Sequence, residues 1–329
     1  MLTPVTEAHY GEEKLLALNL ASAASYSDFV AAIEQDSGID VGYRSCGTVV
    51  AARDGDDNAA LDELFSFHQR LGLQVQRLRA QEVREFEPRL SPRVRGGILV
   101  ENDHQVDNRA LLTGLRKAAS KVGANLVNGS VSSLDVTGDR VQGVALDDGA
   151  SIRADAVVLA AGVWSGGVEG LPPGVLPELR PVKGQLLHLR GPSFLSRNVR
   201  GLDVYIVPRA DGRVVVGASM EERGFDVRPT AEFAYELLRD AYELVPGILE
   251  LEMVEHAVGL RPATLDNAPL IGATALEGLF MATGHFRNGV LLAPITAEAI
   301  VALLQGAPSP VDIEAFDPQR FRARSGSAS

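Results

Sequence analysis

The sequence has one cysteine in 329 residues, Cys46, so no intramolecular disulfide can form and a thiolate-rich metal site is excluded. This fits a reducing compartment, taken here as the cytoplasm. The six histidines, at 9, 68, 104, 188, 256 and 285, form no ligand-spaced pair. HExxH, CxxC, Walker A and GxSxG patterns are all missing, and so is a GxGxxG loop. No Ser/His/Asp arrangement stands out. Basic residues are outnumbered, giving a net charge of −12, which argues against a general nucleic-acid or membrane-surface binder. No apolar run approaches the ~20 residues needed to span a bilayer. The first residues lack the basic and apolar regions of a secretory signal. A hydrophobic content of 46% is ordinary for a soluble globular chain, and the length allows a large core or two cooperating domains.

What is present is concentrated near the C-terminus. Gly278 to Gly306 reads as a strand (Leu279–Ala282), a glycine-punctuated loop (Gly284–Gly289) and a helix carried by Val290, Leu291, Ile295, Ala299, Ile300 and Leu303. Pro294 suits a first helical turn and Gly306 a stop. Such a junction gathers unpaired backbone N–H groups at the positive end of a helix, where an anion or an electron-rich ring is stabilised. Arg287 lies in this loop and carries the planar donor fork that grips a carboxylate.

Upstream, a helix is expected over Lys14 to Gln35 and strands over Thr48 to Val50. A second helix, capped by Asp57 or Asn58, is expected from Ala59 to Leu71, then a short strand from Leu73. Residues 85–107 read as an irregular connection whose Gly96–Gly97 pair favours a turn. Asp107 is the expected cap of a helix over Asn108 to Val122. A meander follows: strands at Val141–Leu146 and Ser151–Arg153, then Ala156–Leu159. This last strand is continuously apolar, as for one covered on both faces, and ends in the small residues Ala160, Ala161 and Gly162. Strands then dominate to about Pro262, with a turn at Asp211–Gly212 and a Thr230-capped helix from Ala231 to Leu244. Tyr205, Arg209, Met220, Arg261 and Arg287 together suggest a small-carboxylate site beside a cofactor. Taken singly, each has a structural alternative.

The stretches MLTPVTEAHYGEE, CGTVVAA, DHQVDNRALLTGLRKAA, VVLAAGVWS, RPVKGQ, VYIVPRADGRVVVGASM, GLRPATLDNAPLIG and ATGHFRNGVLLAPITAEAI occur in that order. With them the chain resembles the flavin-dependent amine oxidases of the D-amino-acid oxidase superfamily, most closely the glycine oxidases of thiamine biosynthesis. The resemblance implies a mixed α/β and α+β fold: a Rossmann-like FAD-binding domain interleaved with an antiparallel-sheet substrate domain. The FAD domain would comprise 1–40, 90–178 and 256–321, and the substrate domain 41–89 and 179–255; a tail from 322 to 329 would be disordered. Arg287 would pair with the substrate carboxylate, with Arg261, Tyr205 and Met220 lining the pocket. His285, Phe286, Arg287, Asn288, Gly289, Val290 and Leu291 would wrap the isoalloxazine ring. Val131 would lie near the adenine, and Ala160, Ala161 and Gly162 would let the chain pass close to FAD. No side-chain catalyst is required, since the flavin carries the chemistry.

The implied reaction is oxidative deamination of glycine or a similar small amino acid, with oxygen as acceptor. A sarcosine oxidase, a D-amino-acid dehydrogenase or a flavin-free remnant are the alternatives. The family's phosphate-binding βαβ unit would precede Met1. Two explanations stay open: a start assigned too late, or a truncated product unable to hold FAD. The implied partners are substrate and oxygen, with no nucleic acid or membrane; a homo-oligomer is left open.

Overall fold

A computed structural model describes residues 1–324. The chain opens with an irregular segment and enters α1 (Glu13–Ser37), whose last turn is closed by Gly38 at φ +66°. Leu15, Leu18, Tyr26, Val30 and Ile33 are its buried stripe. Among the described helices α1 alone is long and apolar enough, by length and composition, to cross a membrane. Asn19, Ser22 and Asp28 interrupt its apolar residues, so no continuous apolar run of that length exists. Here its buried stripe packs in two hydrophobic clusters, one with Val41 and Leu111, the other with Ile271 and Ile295.

Then come β1 (Thr48–Ala52), α2 (Gly55–Arg70), β2 (Gln76–Arg79), α3 (Ala80–Phe86), β3 (Gly96–Val100) and α4 (Asn108–Lys121). Two local expectations need correction. Helix α2 starts four residues earlier than expected, because Asp54 is the cap and accepts from the Asp56 and Asp57 N–H groups. The pair Gly96–Gly97 lies inside β3 rather than in a turn. A Cβ on Gly97 would meet Val83 Cγ2 at 2.4 Å, so glycine here lets α3 sit against the strand. Asp107 caps α4 as expected, accepting from the Arg109 and Ala110 N–H groups.

Next are β4 (Val131–Thr137), β5 (Arg140–Leu146), β6 (Ser151–Arg153) and β7 (Val157–Leu159), followed by β8 (Arg180–Arg190), β9 (Asn198–Arg200), β10 (Tyr205–Pro208) and β11 (Arg213–Gly217). The chain finishes with α5 (Ala231–Leu244), β12 (Glu252–Ala263), β13 (Leu270–Ala273), β14 (Leu279–Thr283) and α6 (Ala293–Leu304). Thr230 precedes α5, but its side chain makes no cap bond; it accepts from Gln185 Nε2 instead. The expected disordered tail begins inside a short 3₁₀ turn, Pro318–Arg324; its last five residues lie outside the described residues.

Three sheets result. The largest runs β12-β8-β11-β10-β9-β1-β3-β2, antiparallel except where β1 meets β9. Strand β3 lies wholly beyond the expected domain limit at 89/90 and β12 spans the one at 255/256, yet both pair in this sheet. Its core is built on Val49, Leu187, Ile206 and Val216, closed by Leu237, Ala241 and Leu244 of α5. The second sheet runs β13-β14-β7, with β14 and β7 parallel. The meander β4-β5-β6 forms the third. Strand β7 was expected to be covered on both faces. Instead it is an edge strand and Val158 is 37% exposed.

Candidate active site

Strand β12 pairs along β8 for most of its length, placing Arg261 opposite Val182. Strand β10 pairs with β11, placing Tyr205 opposite Gly217. The chain after β11 carries Ser219 and Met220 back across the end of β8, and Lys183 and Glu221 exchange backbone hydrogen bonds there. The loop from β14 to α6 returns beside the same region, because the Phe286 N–H donates to the Pro262 carbonyl at 2.9 Å. Arg261, Tyr205, Met220, Phe286 and Arg287 thereby line one cavity of about 1090 Å³.

The arginines differ in their partners. Arg287 is enclosed by the irregular first segment: its Nη2 donates to Glu12, and its Nε lies 3.1 Å from Glu7 Oε2. Glu7 also pairs with Arg200. Burial alone would raise the Glu7 carboxyl, but Arg200, His9 and Arg287 hold it far below the usual carboxylate range. Arg180, at the rim, pairs with Glu222. Arg261 has no carboxylate within ion-pair distance among the described residues. Its Nη1 donates to the Ser219 carbonyl at 3.0 Å. Burial pushes its guanidinium below the usual range, with Tyr205 and Glu7 opposing that and Arg287 adding to it. Burial also raises the Tyr205 phenol. A desolvated cation facing a cavity without its own counter-ion is where an anionic ligand gains most.

The loop 285–291 is held by α1 through its carbonyls. Ser22 Oγ donates to the Leu291 carbonyl at 2.6 Å and Tyr26 Oη to that of Val290 at 3.0 Å. Gly284, at φ +73°, approaches Thr264 so closely that a Cβ would lie 2.8 Å from its methyl carbon. Phe286 adopts φ 47° and packs on Val182 and Ala263. His285 Nε2 lies 3.0 Å from Thr296 Oγ1, and burial pushes the imidazole down to about 4. Asn288 is 4% exposed, yet its Nδ2 has no partner among the described residues.

Not every expected residue converges here. His285 and Gly289 line a second groove of about 440 Å³ with Val158, Ala293 and Ile300. Ala160 and Ala161 are exposed at the end of β7. Gly162 follows at φ +57°, its carbonyl accepting from Ser165 and Thr283. Val131, 39% exposed at the start of β4, lines neither space. Sequence reasoning missed Glu7, Glu12 and Arg200. Glu7 and Glu12 did lie in one of the quoted stretches, but pairing with Arg287 from the far end of the chain, 275 residues away for Glu12, leaves no local signal. Among the described residues no group of three or more His, Cys, Asp or Glu is placed to hold a metal ion.

The residues fit the ring portion of a flavin. A buried amide donor without a partner, the small residues Gly289 and Ala293, and the N-terminal end of α6 meet at one loop. Asn288 and the 289–291 backbone are the groups that would hold the ring, and Phe286 and Arg287 of the same loop line the larger cavity. The 329 residues contain no glycine-rich phosphate loop to complete the pyrophosphate site.

A family model described as FAD dependent oxidoreductase (DAO) matches residues 3–303. The chain is 35% identical over 334 residues to the bifunctional protein ThiO/ThiG of Synechocystis sp., covering 98% of this chain and 47% of that one. It is 32% identical over 316 residues to the glycine oxidase of Geobacillus kaustophilus, covering 95% and 83%. The crystal structure of glycine oxidase from Geobacillus kaustophilus superposes with a TM-score of 0.90 at 31% identity, covering 97% of this chain and 86% of that one. Iminodiacetate oxidase from Chelativorans sp. BNC1 gives 0.86 at 29% identity, covering 96% and 87%. The chain spans about half the length of the ThiO/ThiG relatives it matches.

Proposed function

Because the chain belongs to the FAD dependent oxidoreductase family, we propose that it oxidises glycine or a similar small amino acid. The imine formed hydrolyses to glyoxylate and ammonia, and hydrogen peroxide is the other product. Bound FAD would accept the hydride from the substrate α-carbon and pass the electrons to molecular oxygen.

The observation that carries this reading is Arg261: a cation without a carboxylate partner, in the cavity that also receives Phe286 and Arg287 of the β14–α6 loop. Its outer guanidinium edge takes the substrate carboxylate, with the Tyr205 hydroxyl beside it. Met220, 64% exposed, covers the substrate from the loop after β11. Arg287 is a supporting cation: with Glu7, Glu12 and Arg200 it forms a charge-balanced wall. Burial in the cavity disfavours the charged ammonium, which favours the neutral amine and its lone pair. Orientation of the α-carbon is then the protein's main contribution.

Likeness to proteins named ThiO/ThiG supports a place in thiamine synthesis. The partners read from this site are the amino acid and oxygen; the net charge of −12 speaks against nucleic acid. A cytoplasmic, non-membrane protein remains the proposed setting. A second reading, a larger N-substituted glycine or a D-amino acid, is favoured by one feature. The cavity extends past the arginines to Val204, Phe233 and Leu237, further than glycine needs.

The test is peroxide release with glycine, sarcosine and D-alanine, for the wild type and Arg261→Ala. We expect glycine to react and the variant to show a strongly raised KM. A clear preference for D-alanine overturns the glycine assignment. An unchanged KM removes Arg261 from the site.

A further inference from the structure

The route taken by the Arg261 side chain assigns a role to a residue with no side chain. Arg261 leaves β12 opposite Val182 and reaches Ser219, which lies on the far side of β8. To do so its guanidinium crosses over β8, and it crosses at Gly184. A Cβ on Gly184 would stand 2.5 Å from Arg261 Nη2 and 2.6 Å from both Cζ and Nη1. The φ of Gly184 is outside the left-handed region, so its backbone accepts any L-residue. The three atoms nearest to such a Cβ all belong to the guanidinium. The flanking residues fix the far end of the crossing. Gln185 N–H donates to Ser219 Oγ at 2.8 Å, Ser219 Oγ donates to Glu221 at 2.6 Å, and Lys183 pairs with Glu221 through the backbone. Ser219 therefore cannot retreat to follow a displaced guanidinium.

Tyr205 shows the same device two strands away. It faces Gly217 directly, and a Cβ there would lie 2.5 Å from its Cζ and hydroxyl oxygen.

We propose that Gly184 is a positioning residue for carboxylate recognition: its missing Cβ forms the slot that seats Arg261 flat across β8 and sets the depth of its donor edge. Gly217 does the same for Tyr205. This rests on the reading of Arg261 as the carboxylate anchor. A methyl group at 184 lifts the guanidinium off the sheet, breaks its bond to Ser219 and moves the donor fork by about an ångström, enough to misalign a two-point grip.

The experiment is calorimetric titration of the holoenzyme with glycolate, a carboxylate without an amine, alongside glycine kinetics. Wild type, Gly184→Ala, Arg261→Ala and the double variant are compared. We expect Gly184→Ala to weaken glycolate binding roughly tenfold or more and to raise the glycine KM, while kcat at saturation stays within about twofold. The double variant should bind no worse than Arg261→Ala, since the methyl acts only through the guanidinium. A Gly184→Ala enzyme with wild-type glycolate affinity, or an additive loss in the double variant, overturns the proposal. If Arg261→Ala itself leaves glycolate binding unchanged, the carboxylate-anchor reading has failed instead. Should Gly184→Ala not fold, Arg261→Lys is added to it: the thinner ammonium clears the methyl, so folding must return. Failure to return also overturns the proposal.

Discussion

His68 offers a stability experiment whose sign and size follow from burial. The ring lies in α2 with no solvent exposure and no side-chain hydrogen-bond partner among the described residues. Burial lowers its pKa from 6.5 to about 4, and the Val5 backbone opposes the shift only in part. The folded state therefore holds the neutral ring down to about 4, whereas the unfolded chain takes up a proton near 6.5. Between these values the unfolded state binds more protons, so this residue's contribution falls as pH falls. At about pH 4.5 the loss relative to neutral pH amounts to roughly 2.5 kcal/mol. Asp103, which accepts from the Val5 and Thr6 N–H groups, works in the opposite sense. Burial raises it from 3.8 to about 6, against hydrogen bonds from Thr6 and Val5. The wild-type profile thus mixes the two, and a His68→Leu variant separates them. Urea midpoints of both proteins at about pH 7 and about pH 4.5 give the difference directly. The variant should gain roughly 2.5 kcal/mol on the wild type in going to the lower pH. A difference that stays constant with pH refutes the buried neutral histidine.

Asp103→Asn should remove the buried charge that forms above about 6. A gain of up to ~2 kcal/mol near pH 8, absent near pH 4, is expected in denaturant melts. Lys183 is 1% exposed, with its Nζ on the Arg228 carbonyl at 2.7 Å and Asp226 at 3.3 Å. Lys183→Met should cost about 3 kcal/mol by leaving the buried Glu221 without a cation, while Asp226 keeps Arg228; an unchanged melting temperature would show that the buried pair matters little. Arg287→Ala should raise the glycine KM less than Arg261→Ala, because Glu7 and Glu12 already engage Arg287. The reverse order in steady-state kinetics moves the carboxylate to Arg287.

Local chemistry made much of the frame legible. The periodic α1, the Asp107 cap of α4, the Asp211–Gly212 turn and the strands β5 and β6 all follow from short-range preferences, and the structure repeats them. The failures share a cause. Asp54, Asp56, Asp57 and Asn58 are all chemically fit to cap α2, and only the chain's approach selects Asp54. Gly96–Gly97 is turn chemistry in isolation, yet α3 needs that space in a strand. Arg287 and Arg261 were both readable as carboxylate-binding types. Which one stays unpaired depends on Glu7 and Glu12, brought in from the far end of the chain. The slot at Gly184 is invisible until β12 and β8 are set side by side.

The central claim is that Arg261 presents an amino-acid carboxylate to a flavin held at the β14–α6 loop. Anaerobic addition of glycine to the FAD-loaded protein tests it most directly, followed by the visible flavin spectrum. The account predicts bleaching of the oxidised band in the wild type, and in Arg261→Ala bleaching only at far higher glycine. Equal bleaching in both proteins at the same glycine concentration, or none in a wild type that has retained FAD, would contradict it.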